Sequence, residues 1–288
     1  MIGLKNDIES LRSLSQIFTP TNFDRIVRRN DFANTRARIK KHISSPNPIN
    51  NLEILQFIYK ELLEKYKSEY LYKNALLNKL LLGKYSINTT TVINEFKVGR
   101  SIADFVLLNG EAKIFEIKTE YDSLEKLDKQ LADYKQFANK IYVVANSKFI
   151  NKLLSDYCDT TIGIIEYTEN NTLKEIQPAK ENSLSFNHNA IFKTLRKQEY
   201  LDIIQEHFGI TPDVPNTRIF RESLKLAETI NILDFQKMAY KKLKERKLKC
   251  SKEFLSDKTP YELKHICYSL DMSSKEYSYL YQFLNQKF

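Results

Sequence analysis

A change of hydrophobic period near residue 90 limits what this chain can fold into more than any other feature. Through Leu52-Glu53-Ile54-Leu55, Phe57-Ile58 and Leu62-Leu63, apolar residues recur at helical spacing, as they do through Tyr70-Leu71, Ala75-Leu76-Leu77 and Leu80-Leu81. Gly83 supplies a stop signal. From Thr91 onward β-branched and aromatic runs predict strands over Thr91–Val98, Ser101–Leu108 and Lys113–Thr119, with Asn109-Gly110 as a hairpin turn. Ser123 reads as the N-cap of a helix reaching Phe137. A short buried strand over Ile141–Ala145, a helix over Lys148–Tyr157 and a hairpin from Thr161–Thr168 and Thr172–Ile176 complete the series. The order α-α-β-β-β-α-β-α-β-β predicts an α/β domain.

The flanks differ in character. Residues 1–50 predict a basic helical arm that closes at Ser44-Ser45-Pro46-Asn47-Pro48. Within it, Asn22 to His42 reads as helical and carries Arg25, Arg28, Arg29, Arg36, Arg38, Lys40 and Lys41 against Asp24 and Asp31. Residues 51–180 form the expected core. Residues 181–288 form an expected helical domain, with patterns over Ala190–Phe208, Arg221–Ile230 and Phe235–Lys249. The last of these holds Lys237, Lys241, Lys242, Lys244, Arg246, Lys247 and Lys249 against Glu245.

Lys and Arg number 45 against 36 Asp and Glu, a net charge of +9 that favours a polyanion partner. Arg25, Arg28, Arg29, Arg36, Arg38, Lys97, Arg100, Lys241 and Lys242 are candidate phosphate contacts. For each basic helix the competing reading is an ordinary solvated face. The three cysteines include no C-x-x-C pair and the four histidines are not spaced for zinc, which points to a reducing, cytoplasmic compartment. No signal peptide is visible, and the apolar runs fall far short of the roughly 18 residues a membrane span needs.

One group of residues suggests chemistry. In Lys113-Ile114-Phe115-Glu116-Ile117-Lys118-Thr119-Glu120, alternation places Glu116, Lys118 and Glu120 on one face. The preceding strand is apolar except for Asp104, whose own face is expected to carry Ile102 and Val106 and so to shield it from solvent. A buried acid needs a partner, and the Asn109-Gly110 turn brings Asp104 towards Glu116 and Lys118. Two carboxylates and a lysine suit Mg²⁺- or Mn²⁺-assisted phosphodiester hydrolysis. The plainer alternative is a cross-strand salt-bridge cluster. A two-residue turn at Gly99-Arg100 predicts a register that sets Glu95 opposite Asp104, about 5 Å away.

Asp104 followed by Glu116-Ile117-Lys118 resembles the PD-(D/E)XK nuclease motif, with Ala103 where that motif carries proline. Gln130-Leu131-Ala132-Asp133-Tyr134 is similar to the Q-x-x-x-Y signature of its RecB-like and lambda-exonuclease-like branch. Glu95 to Asp104 also resembles a little-characterised bacterial family of the same kind. The resemblance covers about residues 69–145. It implies a restriction-endonuclease-like mixed sheet flanked by helices and a metal-dependent nuclease acting on DNA. By that resemblance Asp104, Glu116, Lys118, Gln130 and Tyr134 would be catalytic. Asp104, Glu116 and the Ile117 carbonyl would hold Mg²⁺ or Mn²⁺, with Glu95 or Glu69 as an added ligand and defence or a mobile element as the setting. The rival reading is a nucleic-acid-binding protein on a PD-(D/E)XK scaffold without turnover, in which the basic helices do the work.

Overall fold

The computed structural model describes residues 3, 4, 7–44, 49–182 and 184–288. Most of the Ser44–Pro48 loop signal lies outside them. The chain forms two compact units, one from Met1–Lys84 with Leu248–Phe288 and the other from Tyr85–Lys247. These boundaries differ from the expected 1–50, 51–180 and 181–288.

In the first unit, β1 (Gly3–Leu4) pairs antiparallel with β2 (Ile43–Ser44), and between them lie α1 (Ile8–Ser15), α2 (Pro20–Arg29) and α3 (Ala33–His42). The single helix expected over Asn22–His42 is thus two. The break falls at Asn30, whose φ of 51° is left-handed, a helix-ending conformation that Asn tolerates. Asn50 and Glu53 form a capping box that starts α4 (Asn51–Lys65). Next comes α5 (Glu69–Leu76), buried from Tyr70 through Leu76, which runs into a π-helical segment, Leu77–Leu82.

The second unit is built on β3 (Thr91–Val98), β4 (Ser101–Leu108), β5 (Ala112–Lys118), α6 (Leu127–Lys135), β6 (Lys140–Asn146), α7 (Ser147–Tyr157), β7 (Gly163–Tyr167) and β8 (Leu173–Gln177). The sheet order follows the sequence, β3 to β8. β3, β4 and β5 are antiparallel, β5, β6 and β7 are parallel, and β8 returns antiparallel to β7. Parallel neighbours need a crossover, and α6 and α7 supply the two crossovers. The expected Ser123 cap is absent: α6 begins four residues later, and the Ser123 hydroxyl accepts only from Glu125 N–H.

Gly99 takes φ +60° at the β3–β4 turn, and Val98 pairs with Ser101, Lys97 with Ile102 and Phe96 with Ala103. Beyond Glu95 the same register continues with Asn94 opposite Phe105, but Glu95 itself is left-handed at φ 51°. The alternation of faces shifts phase there. Phe96, Val98 and Ala103 share a core with Val106 and Leu108, whereas Ile102 is 51% exposed. Ile102 and Val106 therefore do not lie on one face, and the expected apolar shield around Asp104 is missing on the Ile102 side.

The same core takes Leu127, Leu131, Tyr134 and Phe137 from α6 and its following turn. Four more helices belong to this unit: α8 (His188–Phe192), α9 (Lys197–Phe208), α10 (Asn216–Glu228) and α11 (Ile232–Lys244). Their Phe192, Ile203, Phe235, Ala239, Tyr240 and Leu243 join that core, with the Tyr240 ring 5.2 Å from Phe137 and its hydroxyl bonded to the Phe137 carbonyl. This packing is why residues 188–247 are not part of a separate helical domain. The chain then re-enters the first unit through α12 (Ser251–Leu255), a short 3-10 turn, α13 (Lys264–Leu270) and α14 (Ser274–Asn285). There α14 packs on α2 and α4, and Asn51 donates to the Phe283 carbonyl at 2.8 Å.

Candidate functional site

Glu116 lies on β5, a central strand buried on both faces, and is 2% exposed. A carboxylate cannot stay there unpaired. Lys118, two residues along and on the same face, places Nζ 2.8 Å from Glu116 Oε1. Across the crossover, Gln130 Nε2 donates to the same oxygen at 2.5 Å, and its Oε1 accepts from Lys118 Nζ at 3.0 Å. One turn further along α6, the Tyr134 hydroxyl lies 2.7 Å from Glu116 Oε2 and 2.9 Å from the Ile102 carbonyl. Burial, and then the negative charge of Glu116, push the Tyr134 phenol far above its ordinary value, so it stays protonated as a donor. The four residues form a closed polar cluster.

Asp104 plays another part. The β4–β5 ladder runs only from Leu108–Ala112 to Phe105–Phe115, so its next position would set Asp104 against Glu116. There the Asp104 side chain takes over, accepting the Ile117 N–H on Oδ2 at 2.7 Å. Ile117, expected to lend its carbonyl to a metal, is 4% exposed and continues the parallel pairing with Val144. Glu95 is exposed and brings a carboxylate oxygen within 4.8 Å of one of Asp104's. Glu69 sits in the first turn of α5, in the other unit, and pairs with Lys73 at 2.6 Å.

As a metal site the residues fit unevenly. Glu116 has both oxygens bonded by protein donors and a lysine ammonium already beside it, so it does not fit a metal ligand in this arrangement. Glu95 and Asp104, two carboxylates close together, have the right chemistry for a hard cation.

The candidate phosphate contacts divide. Arg28 is bound by Asp24 at 2.7 Å and Glu276 at 2.6 Å and donates to the Leu270 carbonyl, so it braces α2 against the C-terminal helices of its unit. Arg29 approaches Asp24 at 3.9 Å, and Arg38 donates to the Ser13 carbonyl. Arg36 lies over the rings of Phe32 and Phe288, 5.7 and 5.6 Å from their centroids, and bonds the Lys287 carbonyl. Lys241 reaches Glu206 at 3.4 Å. Lys242 is a correction: its side chain is 8% exposed and held by Glu206 at 2.5 Å, which removes it from any phosphate surface. Arg25, Lys97 and Arg100 are exposed. Sequence reasoning missed Asp133, which accepts from Arg100 N–H at 3.1 Å and Ser101 Oγ at 2.7 Å. It also missed the pairing of Arg246 with Glu199 at 2.6 Å. Nothing in a single sequence marks either contact.

Sheet and cluster together define a mixed α/β protein with a buried, internally satisfied polar centre. Residues 63–267, more than half of the chain, match the family described as bacteriophage P4 protein cII, and the chain belongs to that family. It is 29% identical over 194 residues to protein cII of Enterobacteria phage P4, covering 65% of this chain and 67% of that protein. It is 26% identical over 189 residues to the transcription factor MBP1 of Saccharomyces cerevisiae, covering 62% of this chain but 20% of that much longer protein. No solved structure gives a significant match. These findings overturn the PD-(D/E)XK assignment and with it the nuclease and hydrolase readings, since the family and both relatives carry other descriptions. The physical counterpart is that Glu116 and Lys118 are spent on each other and on Gln130 and Tyr134. Among the described residues, no helix is long and apolar enough to cross a membrane.

Proposed function

We propose that this chain is a cytoplasmic, DNA-binding protein of the cII family with a role in transcriptional regulation, and that it binds its target without cutting it. The observation that carries this reading is the alignment of 189 residues with a protein named as a transcription factor. A net charge of +9 supports it. So does the polar centre, whose hydrogen bonds close on themselves and leave Glu116 and Lys118 for a structural task. The test is fluorescence anisotropy of a labelled random-sequence duplex against purified protein with Mg²⁺, followed by gel analysis of the same DNA. Saturable binding with intact DNA supports the proposal, and absence of binding at low salt refutes it.

We further propose that Glu95 and Asp104 hold a divalent cation, Mg²⁺ or Mn²⁺, between their carboxylates. Two like charges this close are eased by a cation between them. Melting with Mg²⁺ and with chelator checks it. The melting point should rise with the ion, and Glu95→Gln should reduce that rise more than Glu69→Gln does. An equal rise in wild type and Glu95→Gln removes the site.

A further inference from the structure

The outer end of the β3–β4 hairpin differs from the rest of the sheet. β5 pairs with β4 only from Phe105 to Leu108, so residues 96–103 form a two-stranded ribbon with, among the described residues, no third strand hydrogen-bonded beside it. One face of that ribbon is covered: Phe96, Val98 and Ala103 pack with Leu131 and Tyr134 of α6. The other face is open, with Lys97 and Ile102 exposed directly opposite each other and Arg100 exposed at the turn. Lys129 is exposed on α6, one helical turn before Asp133, which is itself bonded to the turn. Among the described residues, the side chains of Lys97, Arg100 and Lys129 make no ion pair. This contrasts with Arg28, Lys242 and Arg246, whose charges are spent inside the protein.

The ribbon also has a fixed shape. Asp133 Oδ2 binds both Arg100 N–H and Ser101 Oγ, while Gly99 holds the left-handed φ the turn requires. A Cβ on Gly99 would lie 2.8 Å from Asp133 Oδ1, so side chain and turn are fitted to each other.

We propose that this ribbon is the element that meets duplex DNA. Lys97, Arg100 and Lys129 contact backbone phosphates, and Ile102 lies against sugar or base edges. The inference rests on the DNA-binding reading above and says which surface does the binding. Charge complementarity selects the occupant: Lys97 and Arg100 on the ribbon and Lys129 on the helix covering its other face are exposed cations without ion pairs among the described residues, and Ile102 is exposed opposite Lys97, on a ribbon narrow enough for a major groove about 12 Å wide. The cation-rich helices α2 and α3, prominent in the sequence, hold much of their charge in internal contacts and are secondary.

The test uses the full chain and a labelled random-sequence duplex, titrated between 50 and 200 mM salt. Wild type should bind with a steep salt dependence. In Lys97→Ala/Arg100→Ala/Lys129→Ala the slope of log affinity against log salt should flatten by about 2.7, the value for three lost phosphate contacts. Affinity at low salt should fall more than tenfold. Asp133→Ala separates shape from charge. It removes a negative charge beside the tip, so net charge alone predicts tighter binding, whereas loss of the held turn predicts weaker binding. Weaker binding is expected, and tighter binding overturns the fixed-shape ribbon. A triple variant that binds like wild type overturns the inference and leaves the DNA-binding reading standing. A wild type that does not bind defeats both, and preference for single-stranded RNA over the duplex overturns the choice of partner.

Discussion

Replacing Glu116 asks most directly what the polar cluster is for. Glu116 is 2% exposed, and its carboxylate is the common acceptor for Lys118, Gln130 and Tyr134. Glu116→Ala strands the Lys118 ammonium, whose side chain is 9% exposed, with only Gln130 Oε1 as a partner. Breaking a buried ion pair from one side costs about 3–5 kcal/mol. For a unit of this size each kcal/mol lowers the melting point by roughly 2–4 °C, so a fall of about 6–20 °C is expected. Removing both charges with near-isosteric side chains is milder, because no ion is left uncompensated. Glu116→Gln/Lys118→Met should therefore melt above Lys118→Met alone, with a favourable coupling of about 2 kcal/mol in a double-mutant cycle. Thermal melts and urea unfolding of the four proteins supply the cycle. If Glu116→Ala melts at or above wild type, the carboxylate is a destabilising charge awaiting a ligand, and the view of the cluster as structural is wrong.

Gly99→Ala combines a strained φ with a Cβ 2.8 Å from Asp133 Oδ1 and should cost about 1–2 kcal/mol, read as a lower melting point. His265 is 3% exposed with neither ring nitrogen hydrogen-bonded among the described residues, and burial, followed by the charge of Lys73, lowers it from 6.5 to about 3. The unfolded chain takes up that proton first, so stability is full above about pH 6.5 and declines as pH falls towards 3, by about 1.4 kcal/mol per pH unit. His265→Phe should flatten this part of the pH–stability profile, measured by urea midpoints between pH 4 and 7. Lys242→Ala should lower the melting point and leave the salt dependence of DNA binding unchanged, because the amine is buried against Glu206. A changed salt slope in that variant would return Lys242 to the binding surface.

Much of the second unit can be read from sequence because its signals are local. The Gly99-Arg100 turn fixes the register of β3 against β4, and two-residue periodicity on β5 puts Glu116 and Lys118 on one face. Helical spacing does the same for Gln130 and Tyr134, and the parallel order of β5 and β6 requires the crossover that brings them back over the sheet. What was not legible depends on contacts distant in sequence or on an unusual backbone. Alternation assumes a regular strand, so the left-handed Glu95 and the resulting exposure of Ile102 could not be foreseen. Charge counting does not show that Arg28 meets Glu276 or that Lys242 meets Glu206. The helices after residue 188 look self-contained until Phe235 and Tyr240 are seen packed into the sheet core. The nuclease reading failed because a few acids, a lysine and a glutamine in a set order also describe a buried network that satisfies itself.

The division of the chain has a consequence for the order of folding. The first unit is assembled from two segments, Met1–Lys84 and Leu248–Phe288, and the second is one uninterrupted stretch between them. On the ribosome, residues 85–247 are all available before α13 and α14 have been made. The sheet unit can therefore close while α2 and α4 still lack the surface against which α14 will bury them. Closing the first unit then means joining segments separated by all of Tyr85–Lys247, but the intervening chain is by then a folded body rather than a random loop. Truncation at the C-terminus should accordingly harm the beginning of the chain more than its middle. In hydrogen exchange, a protein lacking α14 should lose protection in α2 and α4 and keep it in β5 and β6.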